Sequence, residues 1–97
     1  MIVNIFAFKN MERKELLRNF LYRGCLNVEM YYDMKDRIMS ACGMSELNAK
    51  DRANWSNWIN CKCAPNRFCQ AAIDNVLESC GSARLYKVLP SEVAVTK

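Results

Sequence analysis

The sequence predicts a mainly α protein. Four helices form a compact bundle-like domain, with room for a small two-stranded β-sheet joining its N- and C-terminal segments. Three observations carry this. Hydrophobic residues are 52% of the 97-residue chain, enough to fill a core. Only three residues are glycine, which suits helices better than a loop-rich or disordered chain. Apolar residues recur at spacings of three and four in four stretches, each bounded by capping or stop residues.

Residues 2–8 read as a strand, rich in β-branched and aromatic side chains. Asn10 is then the expected cap of a helix over 11–22. Leu16, Leu17, Phe20 and Leu21 share one face of it, and Gly24 is its expected stop. Asn27 caps the second helix. Met30, Tyr31, Met34, Ile38, Ala41 and Cys42 line its apolar side, and Gly43 ends it. A short Gly-containing turn between these two helices predicts an αα-hairpin.

Asn48 caps a third helix, with Asp51 at its third position in a near capping box. Trp55, Trp58 and Ile59 form its stripe, and it fades near Asn60. Pro65 is expected in the first turn of a fourth helix, where its missing N–H costs nothing. Phe68, Cys69, Ala72, Ile73, Val76, Leu77 and Cys80 make its apolar face, closed by Gly81. Residues 84–89 alternate like a strand that Pro90 stops. This segment would pair with the N-terminal strand, and Val93 and Val95 would extend the sheet. Residues 1–97 make one domain, with 1–90 as its body and 91–97 as a frayed tail.

A chain of this length needs neither metal nor disulfides to hold a core. The first eight residues lack a basic leader and a cleavage site, so they do not read as a signal peptide. No apolar run approaches the roughly 20 residues of a membrane span. With Met1 as the start, the expectation is a cytoplasmic protein (host cytoplasm for a viral chain) with reduced cysteines. Net charge is +4, and residues 1–26 hold five basic residues against Glu12 and Glu15, a net +3. The first helix thus carries most of the excess as Arg13, Lys14 and Arg18, with Lys9 and Arg23 flanking. The alternatives are a solvated face and a surface for an acidic partner.

There are six cysteines and no histidine. Four cysteines fall as Cys61-x-Cys63-x5-Cys69-x10-Cys80. Zinc needs four ligands with sulfurs about 4 Å apart. Cys69 and Cys80 on one continuous helix are separated by about 16 Å of rise, so these four do not share an ion, and the alternative zinc set is Cys61, Cys63 and Cys69 with Cys25 or Cys42. The C-x2-C knuckle is also missing, and no cofactor is expected. A disulfide framework has fifteen connectivities to choose from, and it belongs to a secreted chain. The simplest reading is a set of small buried apolar residues, with Cys42, Cys69 and Cys80 on helix faces. Cys61 and Cys63, in a loop beside Lys62, are the candidate reactive thiols.

Without histidine, Cys–His and Ser–His–Asp chemistry is excluded, and no glycine-rich phosphate loop is present. The expectation is a protein that is not an enzyme. The third and fourth helices offer a helix-turn-helix-like pair over 49–80. In that alternative Lys62 holds phosphate, and Asn66, Arg67 and Gln70 read bases in DNA or RNA. Asp74 and Glu78, further along the helix, would repel the phosphate backbone. Trp55 and Trp58 have the spacing of a core stripe, with an interface as the alternative, and Tyr22, Tyr31 and Tyr32 carry the same two readings. The methionines around the second helix default to core, with an adaptable binding surface as the alternative.

A self-contained domain without catalytic groups acts by binding. The expected function is that of a small regulatory or inhibitor protein with a macromolecular partner. The partner would be a protein, or a protein–nucleic acid complex, with an acidic surface. This format is shared by inhibitors that phages and other mobile elements deploy against host nucleic-acid machinery, anti-CRISPR proteins among them. The expected contact surface is Lys9, Arg13, Lys14, Arg18 and Arg23. The other two readings are the nucleic-acid module and a secreted disulfide-bonded helical domain.

Overall fold

The computed structural model describes residues 11–88. The expected strand over 2–8, Lys9, the Asn10 cap, and the segment from 89 to the C-terminus lie outside the described residues. Within them the chain forms α1 (Arg13–Gly24), α2 (Val28–Ala41), α3 (Ala49–Ile59) and α4 (Arg67–Ser79).

Three of the four starts follow from asparagine caps. The side chains of Asn27, Asn48 and Asn66 accept the N–H of Met30, Asp51 and Cys69 at 2.8, 3.1 and 2.8 Å. Each satisfies one donor that the first helical turn leaves unpaired. Asn66 therefore displaces Pro65 from the expected first turn, and Pro65 precedes the cap. Asp51 does not close the expected capping box. Its carboxylate instead accepts the N–H of Ser45 at 3.0 Å. The cap of α1 is Glu12, whose N–H donates to Glu15 Oε1 at 3.2 Å.

Three helices end in one way. The residue after the C-cap turns left-handed, and the next N–H reaches back five residues. Met44, Lys62 and Ser82 donate to the carbonyls of Met39, Asn57 and Leu77 at 2.8, 2.9 and 2.8 Å. The left-handed residues are Gly43 (φ 73°), Cys61 (φ 59°) and Gly81 (φ 83°). Two are glycine, as that conformation favours, and the third is a cysteine. Gly24 does not act as the expected stop. It is helical, and α1 ends at Cys25, whose N–H donates to Leu21 O at 3.1 Å.

The helices pack most closely on the next helix but one rather than on their chain neighbours. The closest packing is α1 on α3 and α2 on α4, so the expected αα-hairpin of α1 and α2 is not the packing unit. The core is drawn from every helix. Leu17 and Leu21 come from α1, Ile38 and Met39 from α2, the two tryptophans and Ile59 from α3, and Cys69, Ile73 and Leu77 from α4. Burying one such aliphatic side chain contributes about 1.5–3 kcal/mol.

The expected strand over 84–89 is not formed in its described part, and no strand occurs among the described residues. The cause is Asp74. Its Oδ1 accepts the N–H groups of Leu85 and Tyr86, both at 2.8 Å, and its Oδ2 accepts that of Val88 at 3.1 Å. Donors that a sheet would need are spent on one carboxylate. Lys87, at φ 57°, turns the chain so that Val88 comes round to the second oxygen. Tyr86 and Val88 enter the core, and Asp74 itself is fully buried. Asp74 therefore does not face outward to repel a phosphate backbone, as the helix-turn-helix alternative has it.

Candidate partner-binding face

The basic residues singled out on α1 divide by role. Arg13 is structural. Its Nη1 donates to Gln70 Oε1 at 2.9 Å and to the Tyr86 carbonyl at 3.2 Å, which ties α1 to α4 and to the C-terminal segment. Lys14 pairs with Glu12 at 3.5 Å on the surface, a contact worth little. Arg18 lies over the ring of Tyr22, 5.3 Å from its centroid. Arg23 is exposed in the last turn.

Around Arg18 and Tyr22 the surface changes character. Tyr22 meets Tyr31 edge-on at 6.4 Å, and Tyr31 meets Tyr32 at 5.3 Å. Lys35 Nζ lies 5.7 Å from the Tyr32 ring and 5.8 Å from the Trp55 ring. Trp55 Nε1 donates to Tyr31 Oη at 3.3 Å, anchoring the array to α3. The outer members are open to solvent: Tyr22 is 59% exposed, Leu26 85%, Val28 68% and Tyr32 54%. Val28 and Tyr32, four residues apart on α2, share a face. The corner where α1 passes to α2 is thus an aromatic and aliphatic surface with a guanidinium stacked on it. Aromatic residues and arginine are the types enriched at binding hot spots.

The signal for this face is present in the sequence as Tyr22, Tyr31 and Tyr32, for which core is the default reading and an interface the alternative. Only Tyr31 is half-buried, because it alone bonds Trp55. Trp55 and Trp58 are buried, as their spacing predicts.

The helix-turn-helix residues are not presented together. Gln70 is 5% exposed, accepts from Arg13, and donates its Nε2 to the Pro65 carbonyl at 2.7 Å. It cannot face a base edge. The Asn66 side-chain oxygen is engaged as the α4 cap. Lys62 and Arg67 are exposed. The close packing of α3 is with α1 and that of α4 is with α2.

All six cysteines are free thiols. Cys69 is buried and Cys42 half-buried, as expected of helix-face positions. Cys80 is exposed, because it caps α4 after the apolar face has ended. Cys63 is exposed and Cys61 half-buried. No three Cys, Asp or Glu side chains converge on a metal position among the described residues.

A cleft of about 220 Å³ lies between α1, α2 and the end of α4, lined by residues that include Phe20, Cys25, Met30, Met34 and Cys80. Burial pushes the Cys25 thiol up from its ordinary value. The cleft is smaller than the roughly 300–1,000 Å³ of a typical small-molecule site, so it is not assigned as one. No described helix is long and apolar enough to cross a membrane. Comparison with family models, curated proteins and solved structures gave no match, so function is argued from the geometry alone.

Proposed function

We propose that this chain is a small non-catalytic regulatory or inhibitor protein that binds an acidic protein surface through the α1–α2 corner. The observation that supports this is the exposed array of Tyr22, Leu26, Val28 and Tyr32 with Arg18 stacked on it. Exposed apolar area rimmed by polar groups is a mark of interaction sites. The net +3 charge of residues 1–26, which include α1, favours acidic partners and speeds their encounter. By format, the reading extends to inhibitors of nucleic-acid machinery carried by mobile elements.

The experiment is a quantitative pull-down from extract of the source cell, using the native chain and the double variant Arg18→Glu, Tyr22→Ala. The reading requires that one protein be retained by the native chain and lost with the variant, while circular dichroism of the two is the same. Retention of the same protein by both would remove the corner from the account. Nucleic acid co-purifying with the chain would instead favour the Lys62 and Arg67 surface.

A further inference from the structure

Cys42 and Cys69 are brought together by the packing of α2 on α4. Cys42 caps the C-terminus of α2, and Cys69 is the third residue of α4. Cys42 Sγ lies 3.9 Å from the Cys69 carbonyl oxygen, so the Cys42 thiol sits directly against the Cys69 residue across the α2–α4 packing. The other cysteines differ in setting. Cys61 and Cys63 share one loop, and Cys25 and Cys80 line the cleft.

We propose that Cys42 and Cys69 form a dithiol modification site that a hydroperoxide converts to an intramolecular disulfide joining α2 to α4. The roles follow from the surroundings. Cys69 sits in the first turn of a 13-residue helix, where the unpaired N–H groups favour a thiolate. The hydrogen bond from Cys42 holds the Cys69 thiol below its ordinary value, against the opposing effect of burial. The same contact, together with burial, pushes the Cys42 thiol up. Cys69 is therefore the attacking sulfur and Cys42 the resolving one. Cys69 is 6% exposed, so only an oxidant of near-water size, such as hydrogen peroxide, reaches it.

In the first step the Cys69 thiolate attacks one peroxide oxygen. The O–O bond breaks, hydroxide leaves and takes up the proton that Cys69 has shed, and Cys69 becomes a sulfenic acid. In the second step the Cys42 sulfur attacks the Cys69 sulfur. The S–O bond breaks, the departing hydroxyl takes the Cys42 proton as water, and the S–S bond forms. Two thiols are oxidised by two electrons, and one peroxide is reduced to two waters.

The test treats the reduced Cys25→Ser, Cys61→Ser, Cys63→Ser, Cys80→Ser variant with equimolar hydrogen peroxide. Intact mass is then measured without reductant, followed by tryptic digestion. The expected result is a monomer lighter by two hydrogen atoms, with residues 38–50 linked to 68–84, and reversal by dithiothreitol. Both cysteines remaining open to alkylation would overturn the proposal, as would sulfinic acid without a bridge or a disulfide between chains. Should the variant fail to fold, the native chain is treated in the same way. Its 68–84 peptide carries both Cys69 and Cys80, so fragmentation assigns the bridge. A bridge at Cys80, or between other cysteines, contradicts the proposal.

Discussion

The Asp74 carboxylate accepts the backbone N–H of Tyr86 at 2.8 Å, twelve residues further along the chain. The same side chain holds Leu85 and Val88. One buried acid thereby replaces a strand partner and fixes the C-terminal segment to α4. Arg84 adds its own closure. Its Nη2 donates to the Val88 carbonyl, and its Nε lies 3.8 Å from Asp74 Oδ2. Asp74→Ala leaves three N–H groups without their acceptor in a buried site. The expected loss is about 3–5 kcal/mol, read as a fall in the urea midpoint. Asp74→Asn keeps an acceptor at one oxygen position and is expected to lose less.

The hydroxyl of Tyr86 is buried with no hydrogen-bond partner among the described residues. Burial, and then the negative charge of Asp74, push its ionisation above the ordinary phenol value, while Arg13 acts the other way. A raised acid contributes stability in full below its unfolded value, near pH 10, and that contribution is lost as pH rises towards the folded value. Tyr86→Phe removes an unpaired polar atom, so the expected change at neutral pH lies between none and a gain of about 1 kcal/mol. Above about pH 10 the native chain is expected to lose stability more steeply than Tyr86→Phe. Thermal unfolding of both proteins across pH 7 to 11 (roughly the window around the phenol value) checks the sign.

Cys61 occupies the left-handed position at the end of α3 that Gly43 and Gly81 occupy after α2 and α4. A side chain there costs about 1 kcal/mol. Cys61→Gly is accordingly expected to raise the stability by up to about 1 kcal/mol, in equilibrium denaturation under reducing conditions. A fall would mean that the Cys61 side chain makes contacts worth more than its backbone strain.

Thiol labelling separates the cysteines by place. Under native reducing conditions, iodoacetamide is expected to modify the exposed Cys63 and Cys80 before the buried Cys69. Peptide mapping at short times reads the order. Early modification of Cys69 would contradict the packing of α4.

The helices were legible because their punctuation is local. Asn27, Asn48, Gly43 and Gly81 act where they stand in the sequence, and the leucine and tryptophan stripes point inward as their spacing requires. What was not legible depends on contacts between distant residues. Residues 84–88 have a strand's alternation, but their donors are taken by Asp74, an acid that looks like a surface residue when only α4 is considered. Gln70 looks like a base reader until Arg13 and Pro65 bury it. Tyr22 and Tyr32 look like core until the pairing of α1 with α3 leaves their corner uncovered. The expected basic surface is carried in part by Arg18, while Arg13 is turned to internal use.

On the proposed function, the α1–α2 corner binds an acidic protein partner. The most direct measurement is the affinity of the captured partner for the native chain and for Arg18→Glu, Tyr22→Ala by titration calorimetry at low and high salt. Loss of an arginine and an aromatic anchor predicts a fall in affinity of at least about tenfold at low salt. Weaker binding of the native chain at high salt is also predicted. Equal affinities for the two proteins, independent of salt, would contradict it.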